Sequence, residues 1–498
     1  MNLQTAKERL GAYQHTMAAL GHASGLVYYD GATLAPKKSA AIRPNTLGEL
    51  SRITYELQCS PETVEMLSVL RSFSGDLTPV ERRSAELLWR GYEETSRIPK
   101  DEYVAYTQLL SEADTVWHDA KANNDFAAFS PLLQRVFDSA KRISGYTNPD
   151  LAPYDAALNG YERGMTRSFC DSFFSALRTR IVPLMHAVAA AEQIDDTPLH
   201  AAFPIEKQRE FSVFLMDTMG IDRDACILGE TEHPFTIGFT KNDVRITTHY
   251  HESDFASSMY SVIHEGGHAL YELGTGDELV FTGLDSGASM AIHESQSRFY
   301  ENIIGRSRAF CALIYPYLQR EFPSQMQGIR EDSFYRMINR STPSLIRTEA
   351  DELTYCLHIM VRYELEKAMF DGALKASELS GEWNRLYREY LGIDVPDDRR
   401  GVLQDSHWAN GNIGYFPSYA LGSAYGAQFL KVMSQEFDVY GAVADNDISR
   451  VNAWNREHIW RHGCMLDPGE LFSTVCGSFD PTAYTDYLCR KYTEIYKL

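Results

Sequence analysis

The chain of 498 residues is 44% hydrophobic and 23% charged, an ordinary soluble composition whose length fits several domains or one large helical body. A formal net charge of -21 disfavours a nucleic-acid partner, which needs a basic stripe, and no segment nears the roughly 20 apolar residues that cross a bilayer. The eight cysteines are scattered without a CxxC pair, so neither zinc-finger nor thioredoxin chemistry is indicated.

The opening MNLQTAKERLGAYQHTMAAL is broken by Lys7, Glu8 and Arg9 and lacks an apolar stretch of signal-peptide type, which makes the cytoplasm the expected location. Leu10, Tyr13, Met17, Leu20 and Leu26 recur at helical spacing through residues 5–30, until Gly31 interrupts them. Amphipathic helices are predicted at 45–59, 61–72, 78–95, 101–120 and 125–142. Asn148-Pro149 and the following DLAP mark a break, after which helices resume at 164–190 and 205–219. Between 221 and 260 the run HPFTIGFTKNDVRITTHY, rich in Thr, Ile, Phe and Val with turn residues, predicts a short sheet or hairpin. Helical patterns return at 254–273, 287–303, 307–320, 348–370, 378–390, 418–436, 447–460 and 481–496. The predicted fold class is mainly α, with a small β region.

The stretch SVIHEGGHALYE carries the first chemistry. His264 and His268 are one helical turn apart, so both imidazoles project from one face and can bind one ion. Glu265 lies beside them, placed to take a proton from an attacking water and pass it to the leaving amine. Such a site needs a third protein ligand, and the triplet HES offers Glu252 upstream and Glu294 downstream. Glu294 is the favoured ligand, because GASMAIHESQSRFYENIIG reads as a helix capped by Ser286 or Ser289 that can pack on the first. A third histidine of the HExxHxxGxxH type is excluded, since ALYELG follows His268.

In order along the chain, HPF (233–235), DVRIT (243–247), HEGGH (264–268), HESQ (293–296), IRTEAD (346–351) and GVLQDSHW (401–408) resemble the signature segments of the thermostable carboxypeptidase Taq family of metallocarboxypeptidases. LVYYDGATLAP extends the resemblance toward the N-terminus, with Tyr28-Tyr29 where tryptophan is common and Ala35-Pro36 where Met-Pro is common. The resemblance implies a large helical body with a deep active-site groove, similar to neurolysin and angiotensin-converting enzyme. It also implies a homodimer, one zinc or cobalt ion per chain, and release of single residues from peptide C-termini with broad specificity. It supports His264, His268 and Glu294 as ligands and Glu265 as general base. The whole chain is then expected to be one catalytic domain. Residues 1–220 would form one side of the groove, 221–260 the small β region, and 261–498 the metal- and substrate-binding part.

Removing only the last residue requires a fixed cation for the free carboxylate, and the planar fork of arginine suits that task. Arg347 in STPSLIRTEADELTY is the first candidate, with an internal salt bridge to Glu349, Asp351 or Glu352 as the competing role. Arg245 is the second, although Asp243, on the same side of a strand, could hold it structurally. An oxyanion donor is expected opposite the metal, and GNIGYFPSYALG offers Tyr415 and Tyr419, with Tyr419 slightly preferred of the two and a packing role as the competitor for both. His233 could donate to substrate or simply fix the sheet. Gln404, Asp405 and His407 could orient a metal ligand from behind or brace the groove wall. Two other functions share the same ligands: a helical oligopeptidase that cuts internally or releases dipeptides, and a noncatalytic peptide-binding protein.

Overall fold

The computed structural model describes residues 1–498. The first helix, Leu3–Thr33, starts where the Asn2 side chain accepts the Thr5 N–H. Gly31 does not end it. A Cβ there would meet Arg43 Nε at 2.6 Å, so the glycine makes room for the arginine of the next helix, Arg43–Gln58. The N-terminal helices share a small core of eight buried residues around Leu10, Met66 and Leu70. The rest of the molecule packs round one core of 100 buried residues running from Leu109 to Tyr496. No helix is long and apolar enough to cross a membrane.

Four short helices fall where no helix was predicted: Pro153–Tyr161, Glu331–Ile338, Val439–Ala444 and Pro468–Cys476. DLAP, read as a break, is instead a helix start, because a proline in the first turn gives up only an N–H that would have no intrahelical acceptor. The segment predicted as one helix at 287–303 divides into Met290–Arg298 and a π-helical turn, Phe299–Ile304.

The β region is a three-stranded mixed sheet of β1 (Cys226–Glu230), β2 (Thr236–Thr240) and β3 (Asp243–Thr248), in the order β1-β3-β2. β2 and β3 form an antiparallel pair with Thr236 opposite Ile246, and β1 adds parallel with Cys226 opposite Val244. Central β3 buries Val244 and Ile246 and packs on the helix Phe255–Leu273, the metal helix. Asp254 caps that helix by accepting the Ser257 N–H at 3.2 Å.

Three helices converge at the site. Met290–Arg298, the carboxylate helix, is capped by Ser289, which accepts the Ile292 N–H at 3.1 Å. It crosses the metal helix so closely that a Cβ on Gly267 would lie 2.7 Å from the Gln296 carbonyl oxygen. On its other side lies Phe416–Glu436, the wall helix, where a Cβ on Gly422 would meet Glu294 Cγ at 2.6 Å. Larger side chains at these two glycines would push Glu294 away from the histidines.

Candidate metal centre and carboxylate anchor

His264 and His268 project together from the metal helix with ring centroids 5.0 Å apart. Their Nε2 atoms face Glu294 Oε2 at 3.9 and 3.6 Å. The ligand atoms of the three residues all lie within 4.8 Å of one another. A tetrahedral ion with bonds of 2.0–2.1 Å sets neighbouring ligand atoms roughly 3.3 Å apart, so two nitrogens and one oxygen fit a divalent metal after a small contraction. Glu252, the alternative ligand, is exposed at the approach to the metal helix.

The far side of each histidine is also engaged. With Nε2 turned toward the ligand cluster, the His264 Nδ1–H donates to Glu301 Oε2 at 2.8 Å. The His268 Nδ1–H points at His293 Nδ1 at 2.7 Å, so His293 must carry its own proton on Nε2, where it donates to Glu272 Oε1 at 2.7 Å. Arg298 ties the carboxylates together, its Nε donating to Glu294 Oε1 at 2.8 Å and its Nη1 to Glu301 Oε2 at 3.1 Å. Burial alone would raise the Glu294 pKa, but the Arg298 charge and the two histidines outweigh it and keep the carboxyl ionised far below the usual range. Burial, with the neighbouring histidines, lowers His268 to about 3, leaving a neutral ring able to bind metal.

Glu265 is buried, and burial raises its pKa despite the opposing charge of His264 and a hydrogen bond from Thr236. The Thr236 hydroxyl, at the start of β2, lies 2.6 Å from Glu265 Oε2. A carboxylate made more basic by a dry setting is a stronger proton acceptor.

Arg347 occupies a short turn, Arg347–Glu349, before the helix Glu352–Asp371. It is 7% exposed, and its Nε and Nη2 both donate to Asp405 Oδ1, at 3.0 and 2.8 Å. Its Nη1 lies 3.4 Å from the Tyr355 hydroxyl. Asp405 therefore takes the Nε side of the guanidinium, and the Nη1 nitrogen and the second N–H of Nη2 are left without a carboxylate partner. The other Asp405 oxygen accepts from fully buried Arg362, whose Nε is 2.8 Å away. Gln404 Oε1 accepts the Arg347 backbone N–H at 2.9 Å and Arg362 Nη2 at 2.7 Å. The Arg347 guanidinium lies over the Tyr419 ring, 5.2 Å from its centroid.

His407 Nε2 is 3.1 Å from the Tyr419 hydroxyl, and burial lowers its pKa to about 4, so the ring is neutral. Its buried Nδ1 has no partner. Placing the proton on Nε2 avoids a stranded N–H; His407 then donates to the Tyr419 oxygen and frees the tyrosine proton for another acceptor. Tyr415 stacks on Tyr161, with centroids 4.9 Å apart, and lies beside Tyr419 at 4.8 Å.

Several placements differ from those the sequence suggested. Gln404, Asp405 and His407 contact Arg347, Arg362 and Tyr419 rather than any metal ligand. The groups behind the ligands are Glu301, His293, Glu272 and Arg298. Arg298 and Glu301 follow Glu294 at helical spacing and could have been found from it. Arg245 takes the structural role that Asp243 offered it in the sequence: Asp243 binds it in a fork, with both contacts at 3.0 Å, and its guanidinium lies over the Tyr29 and Phe239 rings, bracing the first helix on the sheet. His233 is exposed in the β1–β2 connection.

Two imidazoles and a carboxylate set to hold one ion, with a buried glutamate beside the first imidazole, define a metal-dependent peptidase. Comparison narrows that class: the model of the carboxypeptidase Taq (M32) metallopeptidases matches residues 9–492, and the chain belongs to that family. It is 39% identical over 501 residues to carboxypeptidase 1 of Bacillus subtilis, with 100% of both chains covered. It is 34% identical over 511 residues to thermostable carboxypeptidase 1 of Thermus thermophilus, again covering 100% of both. Its fold superposes on the crystal structure of the M32 carboxypeptidase from Deinococcus radiodurans R1 with a TM-score of 0.96, at 34% identity, over 99% of this chain and 100% of that one. Family membership and the triad together make the protein a metal-dependent carboxypeptidase.

Proposed function

We propose that the protein removes single residues, with broad preference, from peptides bearing a free C-terminal carboxylate. The observation that carries this reading is the buried Arg347 guanidinium, which Asp405 holds through Nε and Nη2 and whose Nη1 has no carboxylate partner. The terminal carboxylate binds that guanidinium, which fixes the last peptide bond as the one presented to Glu265. When held by His264, His268 and Glu294, a divalent ion, zinc or cobalt, supplies Lewis acidity that polarises the scissile carbonyl and lowers the pKa of water. Glu265 takes the proton of the attacking water and returns it to the departing amine. Tyr419, its proton released by His407, donates to the oxygen that becomes negative, and Tyr415 buttresses it. The family resemblance supports a homodimer as the working unit.

A free-acid peptide and its C-terminal amide twin, digested in parallel and followed by mass spectrometry, test the proposal. Stepwise loss of single residues from the free acid alone is expected. Equal internal cleavage of both peptides would instead identify an oligopeptidase.

A further inference from the structure

Thr236 is the first residue of β2, paired through the strand ladder with Ile246 of β3. Its hydroxyl leaves the sheet and reaches the metal helix, 2.6 Å from Glu265 Oε2 and 3.1 Å from the Glu265 carbonyl oxygen. Both possible acceptors belong to one residue, and the carboxylate is much the nearer. A carboxylate on a two-carbon stem can rotate and tilt, and either oxygen could face the substrate. Here Oε2 is occupied by Thr236, and Oε1 makes no hydrogen bond with the protein. β2 is also an edge strand, with β3 on one side only, so the hydroxyl fastens the base to the rim of the sheet.

We propose that Thr236 is a positioning residue for the general base: its hydroxyl pins Glu265 Oε2 and leaves Oε1 as the oxygen that takes the proton. This rests on the reading of Glu265 as the base. Thr236 touches no reacting atom; it acts by holding one rotamer. Misplacing a catalytic group by about 1 Å costs on the order of 100-fold in rate.

Thr236→Val keeps the branched shape that packs in the strand and deletes only the hydroxyl, whereas Thr236→Ser keeps the hydroxyl and deletes the methyl. Metal-loaded wild type, both variants, Glu265→Gln and the Thr236→Val/Glu265→Gln double variant are compared on one free-acid peptide, with metal content measured for each. Thr236→Val is expected to lower kcat by roughly 10- to 100-fold, with KM within about twofold and the metal retained. Thr236→Ser should keep most of the wild-type kcat, and the double variant should be no slower than Glu265→Gln alone, because the hydroxyl has nothing left to position. Thr236→Val within about twofold of wild type overturns the proposal, as does Thr236→Ser falling equally far or a double variant slower than Glu265→Gln by the full single-variant factor. If Glu265→Gln itself retains turnover, the general-base reading fails, and that result is separate from either Thr236 variant.

Discussion

The metal corner and the anchor corner are built on the same plan with the charges reversed. At the first, Glu294 and Glu301 share Arg298, Arg306 reaches the far oxygen of Glu301 at 3.7 Å, and Glu265 adds a third carboxylate that leaves the surplus negative. At the second, Arg347 and Arg362 share one carboxylate, Asp405, and the surplus is positive. Each corner fixes its working side chain from behind and leaves an unmet charge in front, so one recruits a cation and the other an anion. Under the proposed function a peptide with a free C-terminus engages both, its carboxylate at Arg347 and its last amide carbonyl at the metal side. On the proposed function, position along the substrate is selected by the separation of two opposite poles, while bond cleavage belongs to one of them.

Stripping the metal should have the largest effect: a chelator abolishes hydrolysis, and zinc or cobalt added back restores it. Survival of activity in the stripped protein would remove the negative pole from the account. Glu265→Gln comes next, lowering kcat by about 100- to 10,000-fold while the metal content stays at the wild-type level. Asp405→Asn breaks the anchor rather than the chemistry. It leaves two buried guanidiniums without a counter-charge, which should cost about 3–5 kcal/mol in stability by denaturant unfolding and raise KM more than it lowers kcat.

The smallest effect concerns neither pole directly. Glu162 accepts the Ala291 N–H at the start of the carboxylate helix, and burial raises its pKa to about 7, the hydrogen bonds from Ser289 and Ala291 only partly opposing it. Between about 4.5 and about 7 the folded state keeps a proton that the unfolded chain loses, so stability falls as pH rises through that window, and the full penalty stands above it. Glu162→Gln should remove up to about 3 kcal/mol of that decline. Buried Glu366, likewise raised to about 7 by burial, leaves a similar share in the variant. Parallel wild-type and variant unfolding curves at pH 5 and pH 7.5 would show that Glu162 does not titrate in this way.

The metal corner was legible because its information is local. His264 and His268 are one turn apart, Glu265 is adjacent, and Glu294 sits in a second helix with its own capping serine. The anchor corner was legible only as a list of candidates. Two of the acids near Arg347 in sequence are employed elsewhere: Asp351 caps the following helix through the Leu353 and Thr354 N–H groups, and Glu352 pairs with Lys491 at 2.6 Å. The partner of Arg347 is Asp405, 58 residues later, and Arg362 joins it across a tertiary contact that no periodicity encodes. Long helices emerged from their apolar spacing, whereas the short ones, such as Val439–Ala444, present too few turns to establish a period.

The central claim is that opposite poles select the C-terminal bond. It is tested most directly by kcat/KM for a free-acid peptide and its amide twin, measured on wild type and on Arg347→Met. The account predicts strong preference for the free acid in wild type and near-equal, low values for the two peptides in the variant, the free acid having lost roughly 10- to 100-fold, as expected when a charge-assisted pair is removed. Undiminished preference for the free acid in Arg347→Met would contradict it and place the positive pole elsewhere.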